Sequence, residues 1–343
     1  MRSTVTTVVS ALPLPTLDER SAAALADDPG AHDRFLERWP CMSAVEVVDA
    51  PTPVACETRR IAVAAWNLER CKHVEAGAAI LAERRVDVVL ATEMDLGCAR
   101  SGQRHTTADL AAQLGLGHVY GVEFVELGLG DVRETEIHAG EVNRAGLHGN
   151  AVLSRFPIRS AALIPLDDGG LWYASAEKPD QKRIGGRNAI AAVLAASFGE
   201  FVAVSVHLES LSDSDLRRRQ MEHLLAEVDR IAGNRPVVLG GDLNVFELSR
   251  RGLDDAAMMT CPESVEPAFA VARAHGYAWA EANRPGTTTR RHPWQSAAGP
   301  LLRIDWLFVR GFAASDPWIE PALAPDGAIV SDHDAIGTIV MPV

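Results

Sequence analysis

Short apolar runs that end in polar side chains recur along the chain. The clearest is PVVLGGDLN at 236–244, where the apolar run stops at two glycines and then presents Asp242 and Asn244. Because alternate side chains of an extended strand point to the same face, these two share one side of the backbone. The pattern predicts a buried strand that brings two oxygen-bearing side chains together, although the same residues are also common in the turn after an ordinary strand.

Five other segments repeat the pattern, and together they favour a functional site over a simple turn. Each places Asn, Asp, Glu or His at or near the end of an apolar run: 61–70 with Asn67 and Glu69, 86–95 with Glu93 and Asp95, 201–209 with His207 and Glu209, 302–309 with Asp305, and 328–336 with Asp332 and His333. A buried carboxylate costs several kcal/mol unless it is paired or holds a metal. Since the binding sites of α/β sheets lie at strand ends, we expect these side chains to converge.

Helical patterns between these runs predict an α/β domain. Helices are expected at 75–85, 107–114 and 214–232, the last of which starts with Ser and Asp and stops at Gly233. Leucines, Val228 and Ile231 form the apolar stripe of this last helix, and the run Arg217, Arg218 and Arg219 is predicted to face solvent.

The first 58 residues have a different character. Acidic and apolar residues at 17–39 follow a loosely helical spacing, and Pro40, Pro51 and Pro53 interrupt the chain before the first core strand. We expect one or two short helices packed on the outside of the protein. The predicted organisation is therefore an N-terminal helical extension at 1–58 with a structural role, followed by a catalytic domain at 59–343.

The chain resembles the endonuclease/exonuclease/phosphatase superfamily, the deoxyribonuclease I-like metal-dependent phosphoesterases. Seven motifs carry the resemblance, in the family's order and across about 270 residues: WNLE at 66–69, TEMD at 92–95, HGNAVLSRFPI at 148–158, VHLES at 206–210, GGDLN at 240–244, RIDWLFV at 303–309 and SDH at 331–333. The fold that the resemblance implies is a four-layered α/β sandwich, in which two mixed β-sheets pack face to face with helices outside.

The resemblance also implies a metal site. Asn67 and Glu93 would ligate Mg²⁺ or Mn²⁺, with Asp332 as a further ligand or as a carboxylate at a second site. Mg²⁺ takes oxygen ligands and retains several waters, so a set of carboxylates and one amide suits it. For Glu69, two interpretations stay open, because its side chain could reach the metal or point into solvent.

Catalytic roles follow from the same resemblance. They fall on six residues: Asp242 orients or deprotonates the attacking water, Asn244 and Asn150 hold phosphoryl oxygens, His333 is polarised by Asp305, and His207 is a second active-site histidine. A carboxylate behind one imidazole nitrogen fixes the tautomer and raises the pKa of the ring, which fits the implied pair of Asp305 and His333.

Three basic and aromatic segments are candidates for contacts with an anionic substrate. They are 99–105, which contains Arg100, Arg104 and His105; 172–187, which contains Trp172, Lys182 and Arg187; and 290–294, which contains Arg290, His292 and Trp294. The predicted substrate-binding residues are Arg100, Arg104, Arg187 and Trp294. The alternative for each segment is a polar surface loop without a role in binding.

Composition narrows the class of substrate. The net charge of −13 and the isoelectric point near 5.3 disfavour a nucleic acid, which usually needs a basic face. We therefore predict a Mg²⁺-dependent phosphoesterase that hydrolyses a phosphodiester or phosphomonoester in a small or lipid-derived molecule. A nuclease is the alternative, and a catalytically silent binding module is a second one. The sequence contains no nucleophile elbow, Walker-type loop or zinc-protease helix, and no nucleotide cofactor is expected.

The cysteines and the N-terminus bear on location. The five cysteines are odd in number and lack Cys-x-x-Cys spacing: Cys41, Cys56, Cys71, Cys98 and Cys261. Free thiols in a reducing compartment are expected. No apolar stretch is long enough for a transmembrane helix, and the N-terminal VTTVVSALPLP is a poor signal peptide. A cytoplasmic location is predicted, with secretion as the alternative.

Overall fold

Two β-sheets pack face to face in the computed structural model, which describes residues 2–28, 30–51, 59–166, 169–173, 181–211 and 213–343. With strands numbered in chain order, the nine-stranded sheet has the spatial order β1 (Val8–Val9), β2 (Val45–Val48), β5 (Gly117–Glu126), β6 (Leu147–Ser154), β4 (Val88–Leu96), β3 (Ile61–Arg70), β14 (Ala335–Pro342) and β13 (Phe312–Glu320), with β8 (Arg183–Gly185) paired to β5. The five-stranded sheet has the order β12 (Asp305–Arg310), β11 (Val237–Asp242), β10 (Gly199–His207), β9 (Asn188–Ala196) and β7 (Ile158–Pro165).

Helices cover the outer faces of both sheets. The described part of the chain contains α1 (Leu17–Leu25), α2 (Ala31–Arg38), α3 (Val74–Glu83), α4 (Thr106–Leu114), α5 (Val132–Ile137), α6 (Ser214–Ala232), α7 (Glu247–Arg250), α8 (Asp255–Thr260) and α9 (Ala268–Ala274). The predicted four-layered α/β sandwich is confirmed. No described helix is both long and apolar enough to cross a membrane.

The period-two pattern of the strands explains the layers. In β3, Val63 and Ala65 belong to the core between the two sheets, whereas Ala64 and Trp66 pack in the core beneath α3 and α4. In the smaller sheet, Ala203 faces the same central core while its neighbours contact α6 and α9. Strands that are apolar on both faces therefore require cover on both sides, which favours a four-layered arrangement.

Five of the six predicted strands are present, and the sixth prediction is wrong. The segment 328–336 is a loop that leads into β14, so Asp332 and His333 precede a strand instead of ending one. The prediction for Arg217 is also wrong. Its side chain is fully buried in α6 and donates to Glu266 at 2.7 Å, because a helix turns by 100° per residue and places Arg217 on the inner face.

The N-terminal segment is more closely integrated than expected. It contains the two expected short helices, but β1 and β2 also join the larger sheet, where Glu46 on β2 aligns with Tyr120 on β5. These strands of two and four residues are too short to give a hydrophobic pattern. The proposed boundary at residue 58 lies outside the described residues, as does Cys56, and the other four cysteines are free thiols.

Candidate active site

A cavity of about 250 Å³ lies where the strands of both sheets end. Its wall includes seven residues that matter for the chemistry: Asn67, Glu93, His148, Arg187, His207, Asp242 and His333, with Asn244 beside them. Register explains part of this convergence. His207 aligns with Asp242 across β10 and β11, and Asp242 aligns with Asp305 across β11 and β12. Three neighbouring strands thus deliver three functional side chains to one level of the smaller sheet.

Gly241 makes this close approach possible. Its φ of 144° suits glycine, and a Cβ at this position would lie 2.1 Å from the Val206 carbonyl oxygen. Gly241 therefore lets β10 and β11 run side by side up to the cavity.

His333 is held between two carboxylates. Its Nδ1 lies 2.8 Å from Oδ2 of Asp305, and its Nε2 lies 3.8 Å from Oδ2 of Asp242. Asp305 also accepts a 2.6 Å hydrogen bond from the Thr288 hydroxyl, which fixes its orientation. Burial alone would lower the pKa of His333, but Asp305 and then Asp242 raise it well above its usual value. The predicted pair of Asp305 and His333 is in contact.

His207 lies on the other side of Asp242, with 3.6 Å between its Nε2 and Oδ2 of the aspartate. The Nδ1 atom of His207 lies 3.4 Å from the Glu123 carboxylate. The Arg187 guanidinium contacts both residues: it donates to Glu123 at 2.7 Å and lies 2.9 Å from His207 Nδ1. Glu123 was not predicted from the sequence to belong to the site. Glu123 lies in the middle of the apolar strand β5, so it does not follow the pattern of a polar residue at the end of an apolar run.

Asn67 and Glu93 form the third part of the site. The Asn67 amide nitrogen donates to Glu93 at 3.2 Å and to Asp242 at 3.1 Å, and Arg70 donates to Glu93 at 2.6 Å. Glu93 and Asn244 have φ values of 58° and 50°, a left-handed conformation that costs of order 1–3 kcal/mol and is common at functional sites. Burial would raise the pKa of Glu93, but Arg70 and His148 hold it well below its usual value.

These contacts fit a divalent cation. The buried carboxylate of Asp242 and the partly buried carboxylate of Glu93 converge on the neutral Asn67 amide, which gathers oxygen atoms at the cavity wall. Carboxylate and amide oxygens are the ligands that Mg²⁺ prefers. Asp242, Asp305 and His333 also place ligand atoms within 4.8 Å of one another.

Asp332 and Glu69 line a second, larger cavity of about 740 Å³, which shares Arg70 and Asp131 with the first. Burial, followed by repulsion from Glu69 and Glu93, raises the pKa of Asp332 to about 6.

The interpretation in which the Glu69 side chain points into solvent is wrong. Its buried carboxylate accepts hydrogen bonds from Lys72 at 2.8 Å and from the Asp332 backbone amide at 3.1 Å, and lies 2.7 Å from His292.

The two predicted asparagines occupy different positions. Asn244 lines the smaller cavity and donates its side-chain amide to the Leu208 carbonyl at 2.9 Å. Asn150 is fully buried, does not line that cavity, and donates to Asn188 at 2.8 Å. A direct contact between Asn150 and phosphate is therefore not supported by its position.

Two of the four predicted substrate-binding residues, Arg100 and Arg104, are engaged in ion pairs with carboxylates of the protein. Arg100 borders the larger cavity, but its side chain is buried and lies within hydrogen-bonding distance of Asp95, Glu126 and Glu134, at 2.8, 2.8 and 3.2 Å. Because the guanidinium forms ion pairs with these three carboxylates, we assign Arg100 a structural role. Arg104 lines neither cavity and pairs at the surface with Asp109 and Glu75.

The other two predicted substrate-binding residues, Arg187 and Trp294, each line a cavity as well. Arg187 lines the smaller one. Trp294 lines the larger cavity, and its side chain is half-exposed. Its ring stacks on His292 with 4.2 Å between the ring centroids, and the Arg133 guanidinium lies 4.0 Å from the ring centroid.

His148 begins one of the family motifs, but it was not predicted to have a role. Its side chain lines the smaller cavity, and its Nδ1 lies 2.8 Å from the Asp95 carboxylate. The smaller cavity therefore contains three histidines, each beside a carboxylate.

Buried carboxylates around the site predict acid sensitivity. Burial would raise the pKa of Glu134, but Arg70 and Arg100 lower it to about 2, well below its ordinary 4.5. A lowered folded-state pKa stabilises the protein above the ordinary value, and this stabilisation is lost as pH falls towards 2. We expect this group to contribute about 2 kcal/mol less to the free energy of unfolding at pH 3 than at pH 5. Urea unfolding at both values measures this, and Glu134→Gln should flatten the dependence; an unchanged slope would contradict the assignment.

A two-sheet sandwich whose strand ends combine oxygen ligands with carboxylate-paired histidines is an architecture suited to metal-dependent phosphoesterases. The sequence profile described as "Endonuclease/Exonuclease/phosphatase family" matches residues 64–333, and the chain belongs to this family. Members of the family are hydrolases that act on phosphoester bonds, and they generally depend on a divalent metal. The predicted resemblance is confirmed.

Solved structures share the fold at low identity. An endonuclease/exonuclease/phosphatase from Beutenbergia cavernae DSM 12333 is 19% identical with a TM-score of 0.56, covering 83% of this chain and 72% of that one. The human Nocturnin catalytic domain with bound sulfate is 17% identical with a TM-score of 0.54, covering 87% and 98%. A mannosyl-6-phosphatase from Bacteroides thetaiotaomicron VPI-5482 is 16% identical with a TM-score of 0.51, covering 82% and 99%. No curated protein sequence matches the chain.

Proposed function

We propose that the protein is a Mg²⁺-dependent phosphoesterase in which water attacks the phosphorus atom of a phosphodiester or phosphomonoester in line with the leaving group. The position of Asp242 carries the proposal. Its carboxylate lies between His207 and His333 and also accepts from Asn67, which is proposed to bind the metal. A carboxylate between two imidazoles and beside oxygen ligands is suited to orient and deprotonate water.

Asn67 and Glu93 would hold Mg²⁺, or Mn²⁺ in its place, with Asp332 as a further ligand or as part of a second site. The bound ion supplies electrostatic stabilisation of the negative charge that develops on the phosphoryl oxygens. Arg70, which donates to Glu93, keeps that carboxylate ionised and oriented towards the cavity.

The remaining steps fall on the chain's own residues. Asp242 accepts a proton from water as the oxygen–phosphorus bond forms, and the bond to the leaving oxygen breaks. One of the two imidazoles, His207 or His333, returns a proton to that oxygen. Asp305 fixes the ring of His333 by its contact with Nδ1, and Asn244 contacts a phosphoryl oxygen.

A small or lipid-derived substrate suits the shape and charge of the site. The reacting cavity of about 250 Å³ adjoins one of about 740 Å³, and the wall of the larger one contains Arg70, Lys72 and Arg133 together with carboxylates. The overall charge of −13 opposes a long polyanion. A phosphate at the smaller cavity would therefore place its organic group in the larger one.

A hydrolysis screen with the full chain and Mg²⁺ tests this proposal. We expect turnover of bis-p-nitrophenyl phosphate or of small phosphomonoesters to exceed nicking of supercoiled plasmid DNA. Asp242→Asn, purified in parallel, controls for contaminating hydrolases. Faster plasmid nicking would favour a nuclease, and no hydrolysis of any substrate with Mg²⁺ or Mn²⁺ would favour a silent binding module.

Trp294 is expected to contribute to substrate affinity. Trp294→Ala removes the exposed ring from the larger cavity, so KM for a substrate with a bulky organic group should rise about 5- to 30-fold while kcat changes little, as loss of about 1–2 kcal/mol of contact predicts. Steady-state kinetics measure both constants. Arg104→Ala is the matched control, because Arg104 lines neither cavity. Equal KM values for the two variants would contradict this role.

A further inference from the structure

A second cluster of ligand-type side chains lies apart from the catalytic cavities, next to the N-terminal strands. Glu46 on β2, His105 just before α4, and His118 at the start of β5 meet there. Oε1 of Glu46 lies 2.6 Å from Nε2 of His105 and 3.1 Å from Nε2 of His118. The three ligand atoms all lie within 4.8 Å of one another. Segments far apart in the sequence thus point two imidazole nitrogens at one carboxylate oxygen.

The negative charge of the Glu46 carboxylate is compensated by imidazole rings and a backbone amide. Its side chain is buried, and within the described residues its polar partners are the two imidazoles and the Leu12 backbone amide, which donates to Oε2 at 3.1 Å. No described lysine or arginine forms an ion pair with it. A buried carboxylate is stabilised by a positive charge or by several donors, and a metal cation at this point would supply the charge in place of the imidazole N–H donors.

The ligand set matches zinc chemistry. Two imidazole nitrogens and one carboxylate oxygen form a known protein ligand set for Zn²⁺, with metal–ligand distances of about 2.0–2.2 Å. Tetrahedral ligand atoms at these distances are about 3.3 Å apart, so the present contacts of 2.6 and 3.1 Å must widen by less than 1 Å. The partly exposed ring of His105 opens a route for the ion and a fourth position for water.

We propose that Glu46, His105 and His118 bind one Zn²⁺ ion at a site separate from the catalytic centre. The two sites differ in ligand type, because imidazoles favour Zn²⁺ over Mg²⁺, whereas the set at Asn67 and Glu93 offers oxygen atoms. Each imidazole binds through the lone pair of Nε2 and keeps its proton on Nδ1. The long 3.4 Å contact from the Ala108 backbone amide to His105 Nδ1 is then lost.

The ion would fasten the N-terminal segment to the larger sheet. Glu46 belongs to the four-residue strand β2, which aligns with β5 near Tyr120, while His105 comes from the turn before α4. A metal ion held by one ligand from each of these three segments would cross-link them. Without the ion, short strands and hydrogen bonds hold the segments together. Binding to the folded state alone raises the unfolding temperature.

Cobalt and zinc binding to the EDTA-treated full chain test the proposal. In an Asp242→Asn, His333→Asn background with excess Mg²⁺, we expect one equivalent of Co²⁺ to give the visible absorption of a tetrahedral site and Zn²⁺ to displace it. Zn²⁺ should raise the unfolding temperature by about 5 °C. Glu46→Gln and His105→Asn should each weaken binding by about 100-fold or more, whereas His275→Asn, at a surface His–Asp pair, should bind like the parent.

No stoichiometric Co²⁺ or Zn²⁺ binding to the background protein would overturn the proposal, as would unchanged affinity in both Glu46→Gln and His105→Asn. Circular dichroism identifies a variant that fails to fold, and the partly exposed position of His105 makes its variant the safer of the two. The hydrolase proposal is tested independently of the zinc site, because Glu46→Gln in the wild-type background should keep Mg²⁺-dependent hydrolysis.

Discussion

Replacing His333 with alanine is expected to lower kcat for Mg²⁺-dependent phosphodiester hydrolysis by about a thousandfold or more. His333 lies at the wall of the reacting cavity, is paired with Asp305 at 2.8 Å, and lies 3.8 Å from Asp242. Its loss removes a hydrogen-bond donor and proton carrier at the reacting phosphorus, effects that contribute about 10²–10⁴-fold each. Steady-state kinetics on bis-p-nitrophenyl phosphate measure the change.

The control for this variant is His275→Ala, because His275 pairs with Asp229 at the surface and lines neither cavity. Circular dichroism should show both variants folded. If His333→Ala hydrolysed the substrate at the wild-type rate while remaining metal-dependent, His333 would have no part in the reaction and the proposed mechanism would be wrong.

The second large effect concerns stability. Arg100→Met should lower the free energy of unfolding by about 3–5 kcal/mol, because it leaves the buried carboxylates of Asp95, Glu126 and Glu134 without their shared cation. Arg104→Met is the matched control from the same loop. Its two ion pairs are partly exposed, and its loss should cost less than about 1 kcal/mol.

Urea denaturation of both variants measures the difference. Equal stabilities would show that Arg100 is not the structural cation that its contacts indicate. A rise in KM for Arg100→Met at wild-type stability would support the prediction that Arg100 contacts the substrate.

Much of the site could be predicted because its signal is local. Asp242, Asn244, Asn67 and Glu93 each follow an apolar run, and a strand that ends in polar side chains shows this within ten residues of sequence. The alternation of strands and helices indicated the α/β class by the same local rule. Here the sequence pattern and the tertiary structure agree.

The remaining features depend on partners that are distant in the sequence. Arg100 and Arg187 both lie in basic segments, but Arg100 meets Glu126 and Glu134 in the interior beside the larger cavity, whereas Arg187 lines the smaller cavity beside His207. Nothing within either segment distinguishes them. Glu123 was missed for the same reason, since its significance comes from His207, which belongs to a strand of the other sheet.

The most direct test of the central claim is the metal dependence of hydrolysis by wild-type protein and by Glu93→Gln. After EDTA treatment, wild type should lose activity on its best substrate and regain it on titration with Mg²⁺ or Mn²⁺. Glu93→Gln should need a much higher metal concentration or stay inactive, because it loses a carboxylate ligand. Undiminished hydrolysis by metal-free wild type, or an identical metal titration for Glu93→Gln, would contradict a metal-dependent phosphoesterase site at these strand ends.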